Sequence, residues 1–395
     1  IYAPGETVTW SVIVMAGEKP VTGTAGYVIR RGGADEIARG EVELIDGKGR
    51  VTGTRGDPGT LLMEIRFKAP GDAKETIGRG GAIFAPEQIK ASMAPPDDFD
   101  AFWSGKIAAL KAVSIHPQLT QGDAGAPGVE YFKITMDNVG GTKIQGQLAR
   151  PVGKKDLPAA LQVQYAGVYK LDRNWVVDKA KQGWLALNIM AHDLPIDESP
   201  EFYKKQSDTV LKDYPGIGCD DREASYFLRM FLSCYRAVDY LTECPEWNRK
   251  TLLVHGGSQG GYQAIATAGL HPAVTALSAN VPAGCDHTGK QAQRAPGWPN
   301  WASRTWLKKD PTRMIETSRY FDAMNFATRV KCQALVGVGL IDTTCPPEGV
   351  LAAYNQMQGP KKILIMPRTT HGSDVEPPDA YYQANGALFH QLKGK

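Results

Sequence analysis

The chain has 395 residues, 42% of them hydrophobic, and 45 basic against 42 acidic side chains give a formal net charge of +3. That length has room for two domains and a full core. The two signs are interspersed without a polybasic run, which argues against nucleic acid as a partner. No stretch approaches about 18 consecutive apolar residues, which argues against a membrane-spanning helix. The six cysteines, Cys219, Cys234, Cys244, Cys285, Cys332 and Cys345, show no Cys-x-x-Cys pair, and no histidine cluster joins them. No metal or cofactor is therefore expected, and the cysteines should be mostly free. The chain opens at Ile1 without an initiator Met. A removed leader or a trimmed chain would each explain this, and an exported protein, periplasmic or secreted, is expected, with a cytoplasmic one left open.

Residues 1–90 read as a small antiparallel β-sandwich. Thr7-Val8-Thr9-Trp10-Ser11-Val12-Ile13-Val14 alternates into an apolar run, and Tyr27-Val28-Ile29-Arg30, Glu41-Val42-Glu43-Leu44 and Leu61-Leu62-Met63-Glu64-Ile65-Arg66-Phe67 follow between turn residues. Ala82-Ile83-Phe84 closes the set. Trp10 and Tyr27 read as core in preference to sugar platforms, and a carbohydrate-binding role for this domain stays a hypothesis.

A Pro-rich linker spans about 90–98, and residues 91–395 form the second domain. A helix starts near Asp98 or Asp100 and runs to about Ala112. Strands are expected at 129–136, 143–149, 160–164 and 185–190, with a helix near 175–182. Asp220 or Asp221 is expected to cap a further helix. Its apolar positions Tyr226, Phe227, Met230, Phe231, Cys234, Val238 and Leu241 recur at three and four residues. Strands alternating with helices predict a mostly parallel sheet covered on both faces.

The most informative stretch is Leu252-Leu253-Val254-His255-Gly256-Gly257-Ser258-Gln259-Gly260-Gly261-Tyr262. An apolar strand runs into Gly-x-Ser-x-Gly, and a small-residue helix follows. This is the context of a nucleophile elbow, in which a serine hydroxyl projects from a strained strand-to-helix turn. A serine nucleophile needs a base and an orienting acid, which in α/β-hydrolases follow in the order Ser, Asp/Glu, His. Cys332-Gln333-Ala334-Leu335-Val336-Gly337-Val338-Gly339 reads as a strand, with Asp342 just beyond it. Lys362-Ile363-Leu364-Ile365-Met366 reads as the next, with His371 beyond it. Both fall past carboxyl ends of strands, where sites of open α/β sheets lie. Ser258, Asp342 and His371 are therefore the candidate triad. His192 and His287 could line the pocket. His255 reads as packing, and His116, His271 and His390 lie in loops or near helix ends.

From about residue 92 onward the chain resembles carbohydrate esterase family seven, the acetyl xylan esterases and cephalosporin C deacetylases. The resemblance rests on Asp98-Phe99-Asp100-Ala101-Phe102-Trp103, on Gly256-Gly257-Ser258-Gln259-Gly260-Gly261, and on Val281-Pro282 with Cys285-Asp286. It extends through Tyr320-Phe321-Asp322-Ala323-Met324-Asn325-Phe326-Ala327 and Val338-Gly339-Leu340-Ile341-Asp342-Thr343-Thr344-Cys345-Pro346-Pro347. It implies an α/β-hydrolase fold, the same triad, and an oxyanion hole with the Gln259 N–H as one donor. Two departures stand out. Gln164-Tyr165-Ala166-Gly167-Val168 replaces the family's His-Gly-Tyr, which makes Val168 the second donor. Ala191-His192-Asp193 replaces its Arg-Gly-Gln. Tyr165, Pro282, Trp298 and Trp301 are candidate substrate-binding residues. For the tryptophans of the insertion at 286–310, packing is the simpler account.

The resemblance implies a serine esterase that removes acetyl groups from sugar hydroxyls, with acetylated xylan or xylooligosaccharide as substrate. A carboxylesterase or feruloyl-type esterase with a larger acyl pocket is the nearest alternative, since loss of the family tyrosine could open the pocket. A non-catalytic carbohydrate-binding protein is the remaining one. A homo-oligomer is also implied, although the added first domain could block that packing.

Overall fold

The computed structural model describes residues 1–68, 75–372 and 375–394. The first eight strands are β1 (Thr7–Ile13), β2 (Met15–Ala16), β3 (Lys19–Pro20), β4 (Gly23–Arg31), β5 (Asp35–Leu44), β6 (Lys48–Thr54), β7 (Gly59–Phe67) and β8 (Thr76–Phe84). They build a four-stranded antiparallel sheet in the order β5-β4-β7-β8, faced by the pair β1-β6, and β2-β3 forms a short ribbon. Strand β1 buries every second residue, as a strand with one covered face must. Val8, Trp10 and Val12 from that face meet Ile29, Leu44, Leu61, Met63 and Phe84 in a separate small core. Trp10 is therefore a core residue, and Tyr27 packs against its edge. Strand β6 carries only one fully buried residue, Val51, which explains why its sequence reads as a turn-rich loop.

The second part begins with α1 (Phe99–Lys111) and continues with β9 (Gln118–Gly122), β10 (Val129–Asp137), β11 (Lys143–Pro151), β12 (Leu157–Val163), α2 (Asn174–Lys181), β13 (Leu185–Ile189), α3 (Pro200–Asp208) and α4 (Tyr226–Glu243). Then come β14 (Trp247–Gly257), α5 (Gln259–Leu270), β15 (Ala276–Asn280), α6 (Pro311–Phe321), α7 (Ala323–Ala327), β16 (Gln333–Gly339), α8 (Pro347–Gln356), β17 (Lys361–Met366) and α9 (Asp379–Lys393). Nine strands form one sheet in the order β17-β16-β15-β14-β12-β13-β11-β10-β9. Pairing is parallel from β17 to β13 and antiparallel from there to β9.

Alternate residues of the central strands face different layers. Leu161, Val254, Leu277 and Val336 join a core with α1, α4, α5, α7 and α8. Ala160, Leu253, Ala276 and Leu335 join another with Tyr381, Leu388 and Phe389 of α9. Helix α2 covers the sheet near β11 and β13 through Val176, Val177 and Ala180. This is the α/β-hydrolase architecture, preceded by an antiparallel β region. Among the described residues no helix is long and apolar enough to cross a membrane.

Local departures from expectation have local causes. Helix α4 begins at Tyr226 with Ser225 at its N-cap, not at Asp220 or Asp221. The Asp221 carboxylate instead accepts the Glu223 N–H at 2.9 Å within a preceding turn. Asp98 stands at the N-cap position of α1 without capping it, because its carboxylate binds Arg222 at 2.6 Å and the Tyr320 hydroxyl. All six cysteines are free, five of them buried.

Phe231 is fully buried on α4 between Trp103, Tyr262 and Phe326. Phe231→Ala should cost about 3–5 kcal/mol through lost burial and an unfilled cavity. A guanidinium unfolding midpoint that does not move would contradict this packing.

Candidate active site

Strand β14 ends in the turn that places Ser258 ahead of α5. Ser258 takes φ 54° and ψ −122°, a conformation that costs a non-glycine residue about 1–3 kcal/mol. Neighbouring contacts hold it there. Its N–H donates to Asn280 O at 2.9 Å, and its carbonyl accepts N–H groups from Tyr262 and Ala283, both at 3.0 Å. The flanking glycines are steric requirements. A Cβ on Gly256 would lie 2.6 Å from the Gly260 carbonyl carbon, and one on Gly260 would lie 2.5 Å from Val163 O.

Ser258 Oγ lies 2.8 Å from His371 Nε2, and His371 Nδ1 lies 2.9 Å from Asp342 Oδ2. Asp342 is 2% exposed. Its other oxygen accepts the N–H groups of Thr344 and Cys345, each at 2.8 Å. A carboxylate only accepts, so Nδ1 carries the ring proton. Nε2 of the neutral ring is then an acceptor for the serine O–H. The three sequence candidates thus form one continuous hydrogen-bond chain. Among the described residues, Asp342, Cys345 and His371 are the one group whose potential metal-ligand atoms lie within 4.8 Å of one another. The His–Asp hydrogen bond already occupies two of these, and burial pushes the Cys345 thiol well up, against the thiolate a metal needs.

A pocket of about 440 Å³ opens beside Ser258, lined by Tyr165, Ala166, Gly257, Asn280, Val281, Trp298, Thr344, His371 and Tyr382. Tyr165 and Trp298 of the sequence candidates reach it. Pro282 and Trp301 do not. Pro282 packs behind the elbow, 3.0 Å from where a Gly261 Cβ would lie. Trp301 is 2% exposed, stacks on His287 and donates its indole N–H to Pro215 O at 2.6 Å. It is a core residue because its one polar atom is satisfied inside the protein. Asn280 and Tyr382 went unread in the sequence, since one ends a short buried strand and the other sits in an ordinary helical pattern.

Val168 differs in part from expectation. Its side chain packs against the protein core and is not part of the pocket wall. Tyr165 and Ala166 of the same loop line the pocket instead. That loop is held from behind. Gly167 O accepts from His192 Nε2 at 3.0 Å, and the other ring nitrogen of His192 accepts the Tyr226 hydroxyl at 2.7 Å. The Gly167 N–H donates to the Tyr214 hydroxyl at 3.4 Å, and that hydroxyl also binds the Gln259 side chain. His192 thus supports the loop and does not line the pocket. It does so where Ala191-His192-Asp193 stands in place of the family's Arg-Gly-Gln.

The acetyl xylan esterase (AXE1) family model matches residues 87–383. The chain belongs to the acetyl xylan esterase family. It is 30% identical over 385 residues to the acetyl esterase Axe7A of Xylanibacter ruminicola, covering 95% of this chain and 85% of that protein. Its fold is similar to that of an acetyl xylan esterase from Paenibacillus sp. R4, with TM-score 0.67 and 24% identity over 78% of this chain and 98% of that one. It is equally similar to acetyl xylan esterase 1 from Thermoanaerobacterium sp. JW/SL YS485, with TM-score 0.67 and 21% identity over 78% and 97%. This esterase is accordingly a hydrolase of carboxylic esters.

The other buried histidines of the esterase are structural. His287 stacks on Trp301 and touches the Tyr262 hydroxyl at 3.2 Å, away from the pocket. His255 packs edge-on to Phe389. Burial pushes His192 down to about 4 and His287 to about 3. Burial, reinforced by the Lys179 charge, pushes His255 to about 3. The unfolded chain therefore takes up protons that the folded one refuses. The stabilisation from these neutral rings is complete above about pH 6.5 and is lost as pH falls toward 4, each ring contributing up to about 1.4 kcal/mol per pH unit. His255→Leu should remove one ring's share of that slope. Unfolding midpoints measured at about pH 7 and pH 5 test this, and an unchanged slope would contradict it.

Proposed function

We propose that this esterase removes acetyl groups from sugar hydroxyls through an acyl-Ser258 intermediate, with acetylated xylan or its oligosaccharides as substrate. The observation that carries the mechanism is the chain from Ser258 through His371 to the buried Asp342 at the floor of an open pocket. Ser258 Oγ attacks the acetyl carbonyl carbon while His371 Nε2 takes its proton. Asp342 holds the ring in the required tautomer and stabilises the imidazolium that forms. By the family resemblance the donors to the developing oxyanion are the Gln259 N–H, at the start of α5 directly after Ser258, and the Val168 N–H. Each such donor is worth about 3 kcal/mol. His371 then protonates the departing sugar oxygen. Water, activated by the same ring, attacks the acyl carbon and releases acetate.

The substrate class rests on family membership and on the pocket wall. Tyr165 is 51% exposed and stacks on Tyr169 at 4.7 Å between centroids. Trp298 and Tyr382 supply further aromatic surface around the same opening. Flat faces of this kind suit the C–H faces of a sugar ring.

Ser258→Ala should lower kcat on p-nitrophenyl acetate by about 10⁴-fold or more, and Asp342→Asn by about 10⁴-fold, both in folded protein. Full activity in either variant would refute its role. Rates across acetyl, butyryl, octanoyl and feruloyl esters, with acetate release from acetylated xylooligosaccharide alongside, test the substrate class. A steep acetyl preference with release from the oligosaccharide is expected. A preference for long or aromatic acyl groups would keep the triad and overturn the deacetylase reading.

A further inference from the structure

The first domain meets the hydrolase through charged groups that have almost no access to water. Arg55, in the turn between β6 and β7, and Glu348, in the first turn of α8, have side chains 4% and 3% exposed. Arg55 Nη1 donates to Glu348 Oε2 at 2.7 Å and Nη2 to Oε1 at 3.3 Å. Thr60 adds its N–H at 2.7 Å and its hydroxyl at 3.1 Å. Arg294, from the insertion that carries Trp298, stands 3.6 Å from the same carboxylate and pairs with the buried Asp286. One carboxylate therefore joins the first domain, the insertion and α8.

Helix α8 follows directly from the loop that carries Asp342. The first domain also backs that loop. Gly81 of β8 lies so close that a Cβ there would be 2.6 Å from Leu340 O. A residual space of only about 30 Å³ is walled by Thr60 and Leu61 on one side and by Leu340, Asp342 and Thr343 on the other. The insertion is tied in as well, since Ala295 N–H donates to Gly32 O and Trp298 N–H to Thr344 O, each at 2.9 Å. The His371–Asp342 contact depends on where this loop sits, because the Asp342 carboxylate is fixed to the loop's own N–H groups.

We propose that the first domain braces the loop bearing Asp342, and that Arg55 is a positioning residue for Asp342, acting through Glu348. This rests on reading Asp342 as the orienting acid. It gives the domain a role within the hydrolase itself, consistent with Trp10 being buried in its core and offering no sugar platform.

The test is a double-mutant cycle on the full chain, with kcat and KM measured for p-nitrophenyl acetate and folding checked by circular dichroism. Arg55→Met should lower kcat about tenfold or more, with KM within about twofold, because small displacements of a catalytic contact are costly. Arg55→Lys should restore part of the loss. In the Asp342→Asn background Arg55→Met should change kcat by less than about twofold, since its route of action is gone. A folded Arg55→Met protein with parental kcat, or the same factor in both backgrounds, would overturn the brace. Should Arg55→Met not fold, the pair Arg55→Met/Glu348→Gln, which leaves no lone buried charge, is read by the same criteria. Failure of the triad reading is separable, because Asp342→Asn alone would then retain full kcat.

Discussion

Asp342 has to keep a negative charge at 2% exposure. Removing a carboxylate from water costs several kcal/mol unless protein dipoles replace the lost hydration. Here two loop N–H groups and the His371 ring replace it. Those donors exist only if the backbone after β16 turns as it does, and a turn of that kind has to be supported from outside. Gly339 allows the His371 loop to approach, since a Cβ there would lie 2.4 Å from Thr369 O. Gly81 of β8 closes the other side. The geometry of the acid is thus a property of three segments distant in sequence.

The serine depends on a comparable arrangement. A positive φ at Ser258 is unfavourable alone. It persists because the sheet and α5 meet at a distance that only glycine permits at positions 256 and 260. Helix α5 is buried along most of its length, from Gln259 to Ala268. Its packing energy therefore holds the strained turn, and its N-terminal N–H groups are directed to the place where negative charge develops. Stability in the helix is converted into preorganisation at the turn.

The parts of this molecule that were legible in the sequence are those governed by local pattern. Strands β12, β13, β14, β16 and β17 contain short apolar runs bounded by turns, and α4 repeats its apolar positions at helical spacing, so run length, flanking turns and period reveal them. The Gly-x-Ser-x-Gly turn is local as well, and Asp342 and His371 follow from the ends of the next strands. Strand β9 and helix α3 were not legible, because β9 has no buried residue and α3 buries only Tyr203. The pocket wall was legible only in part. Trp298 and Trp301 are near neighbours in similar surroundings, yet one faces the pocket and the other meets Pro215 in the core. That difference lies in the fold of the insertion, which leaves no periodic trace.

The contact between Arg55 and Glu348 is the extreme case. Its partners are 293 positions apart, and each looks in sequence like an ordinary surface charge. A buried ion pair is seldom a net source of stability, because desolvation offsets most of the attraction. Breaking one is nevertheless costly, about 3–5 kcal/mol, since the survivor is left charged and unsolvated. Arg55 also meets the half-exposed Asp57 at 3.1 Å in its own turn, so such a pair contributes little by existing and much by fixing where the buried Glu348 charge is met. It therefore specifies how the two parts dock more than how tightly they hold. Thr60 and Arg294 sharpen that specification, since each meets the same carboxylate from a different direction. An apolar interface of equal area could slide. This one has a single register, and that register is what places the acid-bearing loop against His371.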